Sequence, residues 1–266
     1  MRYSLATLIR RTRNPRRRRI VIRDIAPPAT LAGDLFRAVY LPVVKAWEEG
    51  LPRILTEYDR ALAEITTDSA ASVEAAITGM DRELSRLLLI LTPRLREWAV
   101  RVEAWHRGKW RGAVLSATGV DLLTLIGPSD AQQTVEATIA WNTSLVKDVS
   151  DQARQRIGNA VFSGLRERKP AREVAKEVRE AVVMSRRRSI GIASDQLSKL
   201  ASSLASERRR EAGIDTWKWR HSGKLHPRPE HQARDGKEYT DETAPADKPG
   251  QLPYCGCREQ AVVRLD

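Results

Sequence analysis

The sequence predicts a mainly α protein: an elongated helical bundle followed by a small C-terminal α+β module with a short β-sheet and an ordered loop rich in proline and glycine. Three observations carry this. Apolar residues recur at helical spacing from Gly33 to about Arg210. Beyond Gly213 that period gives way to strand-like alternation and turn dipeptides. The two cysteines and three of the four histidines fall in that last part, so it is built differently from the rest.

The elements come in order along the chain. Residues 1–23 read as a basic, disordered arm, with nine arginines and no acid between Arg2 and Arg23 and Pro15 breaking any helical stripe. Arg10, Arg11, Arg13, Arg16, Arg17, Arg18 and Arg19 are its candidate DNA-binding residues, because guanidinium groups grip phosphate bidentately and release counterions. A mitochondrial-type presequence is the competing reading, and the serine-rich amphipathic pattern it needs is missing.

Residues 24–130 read as an N-terminal helical region. Leu35, Val39, Val43 and Trp47 form its first stripe, and Pro42 inside it predicts a kink or boundary. Leu51, Ile54, Tyr58 and Leu62 form a second stripe, and Met80, Leu84, Leu87 and Leu91 a third. Thr92-Pro93 then offers an N-cap with proline at the first helical position. Gly119 to Gly127 is a connector, with Ser129 or Asp130 capping the next helix.

Residues 131–212 read as a helical core. Stripes run from Val135 to Val149 and from Ile157 to Leu165, with a break at Glu167 to Pro170. Val174, Val178 and Val182 open another helix, and a last one spans about Arg188 to Arg210. Aromatic residues on these stripes are core rather than ligand platforms.

Residues 213–266 form the C-terminal module. Thr216 to His221 alternates like a half-buried strand, residues 222–253 form the loop, and Ala261-Val262-Val263 suits a closing strand. Pairing 216–221 with 257–265 would bring the cysteines near the histidines.

Composition limits the function classes. At 266 residues the chain can bury a real core, and its 41% apolar and 30% charged content suits solvated helices around one. A formal net charge of +12 favours a polyanionic partner, nucleic acid first and an anionic membrane surface as the rival. No apolar run is long enough to span a bilayer, and the arginine-rich start lacks a signal peptide's apolar stretch. Cys255 and Cys257 stand too close for an unstrained disulfide, which suits a reducing cytosol.

The stretch Arg188-Ser189-Ile190-Gly191-Ile192-Ala193-Ser194-Asp195-Gln196 resembles a helix of the phage Mu F-like minor head, or head-morphogenesis, proteins. In that family a tryptophan-bearing strand, an arginine–histidine–glycine turn, a proline-rich loop and a terminal Cys-x-Cys come after it. Here Trp217 and Trp219, Arg228 to His231, Asp235-Gly236, Pro249-Gly250 and Cys255-Gly256-Cys257 match them in order. The likeness covers roughly 130–265. It departs at His221-Ser222-Gly223, where the family often carries an acid, and at Gly256, where it often carries arginine; here Arg258 is displaced by one.

The resemblance implies a minor head protein of a tailed bacteriophage, made in the host bacterial cytoplasm and placed in the virion, inside the capsid at the portal vertex. Its implied partners are the phage portal protein, a scaffold or major capsid protein, and double-stranded DNA bound without sequence preference, with no membrane in the assembled particle. Assembly, packaging or ejection of DNA is the implied task, and no catalytic residue is expected. Two alternatives stand beside it: a non-virion DNA-binding packaging accessory protein, and a hydrolase or nuclease using the His231 region. The basic chain agrees with a DNA-filled compartment, and no base-reading motif is recognisable.

For the histidines and cysteines two readings stay open. In one, Cys255 and Cys257 with His231 and His226 (or His221) hold one structural zinc that staples a module poor in apolar core. In the other, the thiols sit in a minicore beside Trp217 and Trp219 while His231 hydrogen-bonds to fix the loop. Trp217, Trp219, Arg228, His231, Asp235 and Gly236 form the structural motif in both.

Overall fold

A computed structural model describes residues 3–12, 18–64 and 69–265. Its elements are α1 (Leu5–Thr12), β1 (Arg19–Val21), α2 (Ala29–Leu35), a π-helical turn (Phe36–Tyr40), α3 (Leu41–Glu64), α4 (Ser69–Thr118), a 3-10 turn (Pro128–Ala131), α5 (Gln132–Glu167), α6 (Ala171–Glu211), β2 (Thr216–Arg220), α7 (Pro229–Ala233), β3 (Glu238–Tyr239) and β4 (Arg258–Arg264). The protein is mainly α with a small antiparallel sheet, as the pattern predicts.

The helices are fewer and longer than the stripes suggest. The π-helical turn directly precedes Pro42: the Leu41 N–H reaches back to the Phe36 carbonyl. The ladder thus slips by one residue beside a proline that has no N–H to give. Thr92-Pro93 starts nothing, since α4 runs through it, with Thr92 Oγ1 bonded to the Leu88 carbonyl at 3.0 Å. The chain does stop at Gly119 (φ +77°), where the Thr118 hydroxyl accepts the Val120 N–H at 3.2 Å. It stops again at Arg168 (φ +51°), before Pro170.

The chain divides into two compact units, one of 1–32, 98–138 and 194–266, the other of 33–97 and 139–193. This grouping differs from the expected boundaries at 130/131 and 212/213. Along a long helix successive turns meet different partners, so packing need not follow chain order.

The second unit is a helical bundle. Trp47 donates to Ser150 Oγ at 3.1 Å, Tyr40 Oη to Asn142 Oδ1 at 3.1 Å and Tyr58 Oη to the Lys169 carbonyl at 2.7 Å, so its buried aromatics are polar-satisfied as well as packed.

The first unit holds the sheet, ordered β1-β4-β2-β3. Trp217 pairs with Ala261 and Trp219 with Glu259, while Ile20 pairs with Val263. Leu5, Ile9, Ile22, Trp110, Val114, Leu122, Ile214, Val263 and Leu265 are packed into one core. The expected disordered arm is therefore ordered in part: Leu5 and Ile9 of α1 and the β1 pairing bury apolar groups that the run of arginines obscures. Arg13, Arg16 and Arg17 lie outside the described residues.

Candidate functional site

The site grows from β2. Its alternation buries Trp217 and Trp219 on one face and leaves Lys218 half-buried on the other. Glu259, across from Trp219, points to the same face, where Arg209 of α6 holds it at 3.0 Å and Asp241 at 2.7 Å. Burial pushes the Glu259 carboxyl above its ordinary range in spite of that guanidinium. Asp241 goes the other way: burial opposes its charge, and Arg209 and Lys248 outweigh burial.

Beyond β2 the chain leaves the sheet and returns. The Gly236 N–H donates to the Trp219 carbonyl, and the Trp219 N–H to the Lys237 carbonyl, both at 2.9 Å. Gly236 has φ +79°, which explains glycine at that turn. Asp235 Oδ1 accepts the His221 N–H at 2.8 Å, and Arg228 donates to the Pro253 carbonyl at 2.9 Å. Within this excursion lies α7, opened by Pro229 at its first turn, and α7 carries His231 into the interior.

The cysteines arrive from the opposite side. One-residue spacing along an extended chain directs both thiols the same way, and both are buried with Gly256 half-buried between them. The turn before them is pinned by α6: Tyr254, at φ +59°, donates its N–H to Asp195 Oδ1 at 2.5 Å. Ser202, further along α6, donates to the Cys257 carbonyl at 3.4 Å. A side chain at Gly250 (φ +79°) would sit 2.4 Å from Ser202 Oγ, so the loop lies against α6 only with glycine there.

His231, Cys255 and Cys257 thus converge, and their ligand atoms all lie within 4.8 Å of one another. His231 Nδ1 is 3.5 Å from Cys255 Sγ and 3.6 Å from Cys257 Sγ. On its far side Nε2 is 2.8 Å from Asp247 Oδ2, whose other oxygen accepts from Arg234 at 2.8 Å. Burial opposes the Asp247 charge, but the hydrogen bonds from His231 and Arg234 outweigh it and hold its pKa below the carboxylate range. The two thiols titrate together. The hydrogen bond that Cys257 gives Cys255 favours the Cys255 thiolate, while that same bond, then burial, then the charge so formed hold the Cys257 thiol up. Trp219 closes the cluster with its ring 5.0 Å from His231 at 70°, under the Arg234 guanidinium at 5.1 Å.

Of the four expected metal ligands, the structure brings three together and leaves His226 on an exposed loop. His221 is occupied locally, its Nδ1 accepting the Gly223 N–H at 3.1 Å. Asp247 escapes a reading of the sequence, because no spacing ties it to a histidine 16 positions away. Asp195 carries a usable signal: it stands inside the stretch that bears the resemblance. The Gly256 departure also has a structural counterpart, since a Cβ there would meet Ser222 Cβ at 3.0 Å and Lys224 Cε at 3.1 Å. Arg258 reaches Asp24 at 2.8 Å. Of the expected DNA-binding residues, Arg10, Arg11 and Arg18 are exposed, while Arg19 and Arg264 share the Glu238 carboxylate.

A helix-pinned aromatic module with converging histidine and cysteines is thus the class of site defined here. The family model described as "Phage Mu protein F like protein" matches residues 154–260, which contain all of it except β1, Asp24 and the end of β4. The match bears out the resemblance carried by the motifs. An uncharacterized protein of Haemophilus influenzae is 30% identical over 149 residues, 55% of this chain and 33% of that one. The chain thus spans about a third of the length of that curated relative. No solved structure matches the chain.

Proposed function

We propose that this protein is a minor structural component of a tailed-phage head. In this reading it docks on the portal protein inside the capsid and touches packaged DNA through phosphates, supporting assembly, packaging or ejection. The family match over 154–260 is the observation that carries the reading. The net charge of +12 and the exposed Arg10, Arg11 and Arg18 support the DNA contact. Among the described residues no helix is long and apolar enough to cross a membrane.

Titrating the full chain against mixed-sequence duplex DNA tests the contact. The logarithm of the binding constant should fall linearly with the logarithm of salt, without base preference. Joint Arg10→Ala, Arg11→Ala and Arg18→Ala replacement should lower that slope by about 0.9 for each phosphate that is no longer neutralised. A flat salt dependence, or cleavage of the DNA, would contradict the reading.

A further inference from the structure

We propose that Cys255 Sγ, Cys257 Sγ and His231 Nδ1 form a zinc site, with Asp247 as the carboxylate that orients the histidine and water in the fourth position. The geometry is that of a ligand set. For zinc–sulfur bonds of about 2.3 Å and zinc–nitrogen bonds of about 2.0–2.1 Å, tetrahedral angles put sulfur and nitrogen roughly 3.5–3.6 Å apart. The two separations in the structure are 3.5 and 3.6 Å.

A plain thiol–imidazole hydrogen bond explains this less well. Nδ1 has one lone pair and accepts one S–H, which favours one sulfur over the other. Here both sulfurs stand at nearly equal distance from it. With the Nε2 proton given to Asp247, that lone pair faces the sulfurs, the outer-shell arrangement common to metal-bound histidines. Two thiolates and an imidazole, all buried at 2–3% exposure, are soft donors that suit zinc over calcium or magnesium.

The need is local as well. The minicore here consists of Trp217, Trp219, Cys255 and Cys257 with Tyr239, Ala244 and Leu252 packed on it, and apart from the short α7 and β3 the excursion is loop. Such a module gains from a metal cross-link between α7 and the strand-entry segment.

Cobalt(II) titration of the reduced, chelator-treated full chain tests the site, followed by displacement with zinc. The expected result is one cobalt per chain with sulfur-to-cobalt charge-transfer absorption and intense tetrahedral d–d bands, both lost on adding one equivalent of zinc. Asp247→Asn keeps all three ligands and should bind zinc about 10–100-fold more weakly. His226→Ala should bind as the unaltered chain does. Near-ultraviolet circular dichroism of the tryptophans accompanies every sample, so that an unfolded variant is recognised. A folded, reduced chain that takes up no cobalt, or takes it up without charge-transfer bands, overturns the proposal. Unchanged zinc affinity in folded Asp247→Asn overturns the role of the carboxylate, and weakened affinity in His226→Ala overturns the water in fourth position.

Discussion

His106 is buried in the first unit, and neither ring nitrogen has a hydrogen-bond partner among the described residues. Burial, helped by the nearby Arg208, brings its pKa from 6.5 down to about 3. As pH falls below about 6.5 the unfolded chain takes up a proton that the folded chain refuses. The stability is therefore complete above that pH and is lost toward pH 3, at about 1.4 kcal/mol per pH unit. His106→Leu should remove this contribution. Urea midpoints between about pH 7 and about pH 4 should fall less steeply in the variant, and an unchanged slope would show that the ring is not desolvated. Nothing in the sequence marks His106 as special: it stands on an ordinary helical stripe beside Trp105. Asp247 is equally hidden. By contrast His231, Cys255 and Cys257 are legible because their residue types are rare here and share one loop-rich region.

Among the elements, the strands are the more legible, because two-residue alternation in 216–221 and the apolar run at 261–263 each fix a face. The helices are legible in period and not in length. Stripes that look separate in the sequence merge in α4, α5 and α6, since a polar or proline-bearing turn ends a helix only when packing does not hold it. Pro93 is the sharpest case. It stands exposed inside α4 and leaves the Leu89 carbonyl without the N–H that would normally reach it. Pro93→Ala should restore that bond and stabilise the second unit by up to about 3 kcal/mol. Thermal unfolding followed by far-ultraviolet circular dichroism should show a higher midpoint, and a lower one would mean that the proline sets a bend the bundle needs. The ordered part of the N-terminal arm is hidden for a related reason. Leu5, Ile9 and Ile20 are too few to make a stripe among so many arginines, yet α1 and β1 are completed by contacts more than 200 residues away in sequence, such as Ile20 with Val263.

For the whole molecule, the proposed place inside a phage head rests on the family match and on the charge of the chain. The module is held together by buried and half-buried polar joints: Arg209 to Glu259 and Asp241, Asp195 to Tyr254, and Asp247 to His231. Arg209 ties α6 to the sheet through Glu259 and to the long loop through Asp241, Asp195 ties α6 to that loop again, and Asp247 ties the loop to α7. The excess of basic residues suits a compartment filled with DNA, and the interior of a phage head is such a compartment. The decisive measurement is quantitative mass spectrometry of gradient-purified, DNA-filled heads of the phage that encodes the chain, with and without protease treatment before the heads are opened. A minor head component should be present in a few copies per particle, protected from protease until opening. Absence from full heads, or complete digestion while they remain closed, would rule out a place inside the capsid.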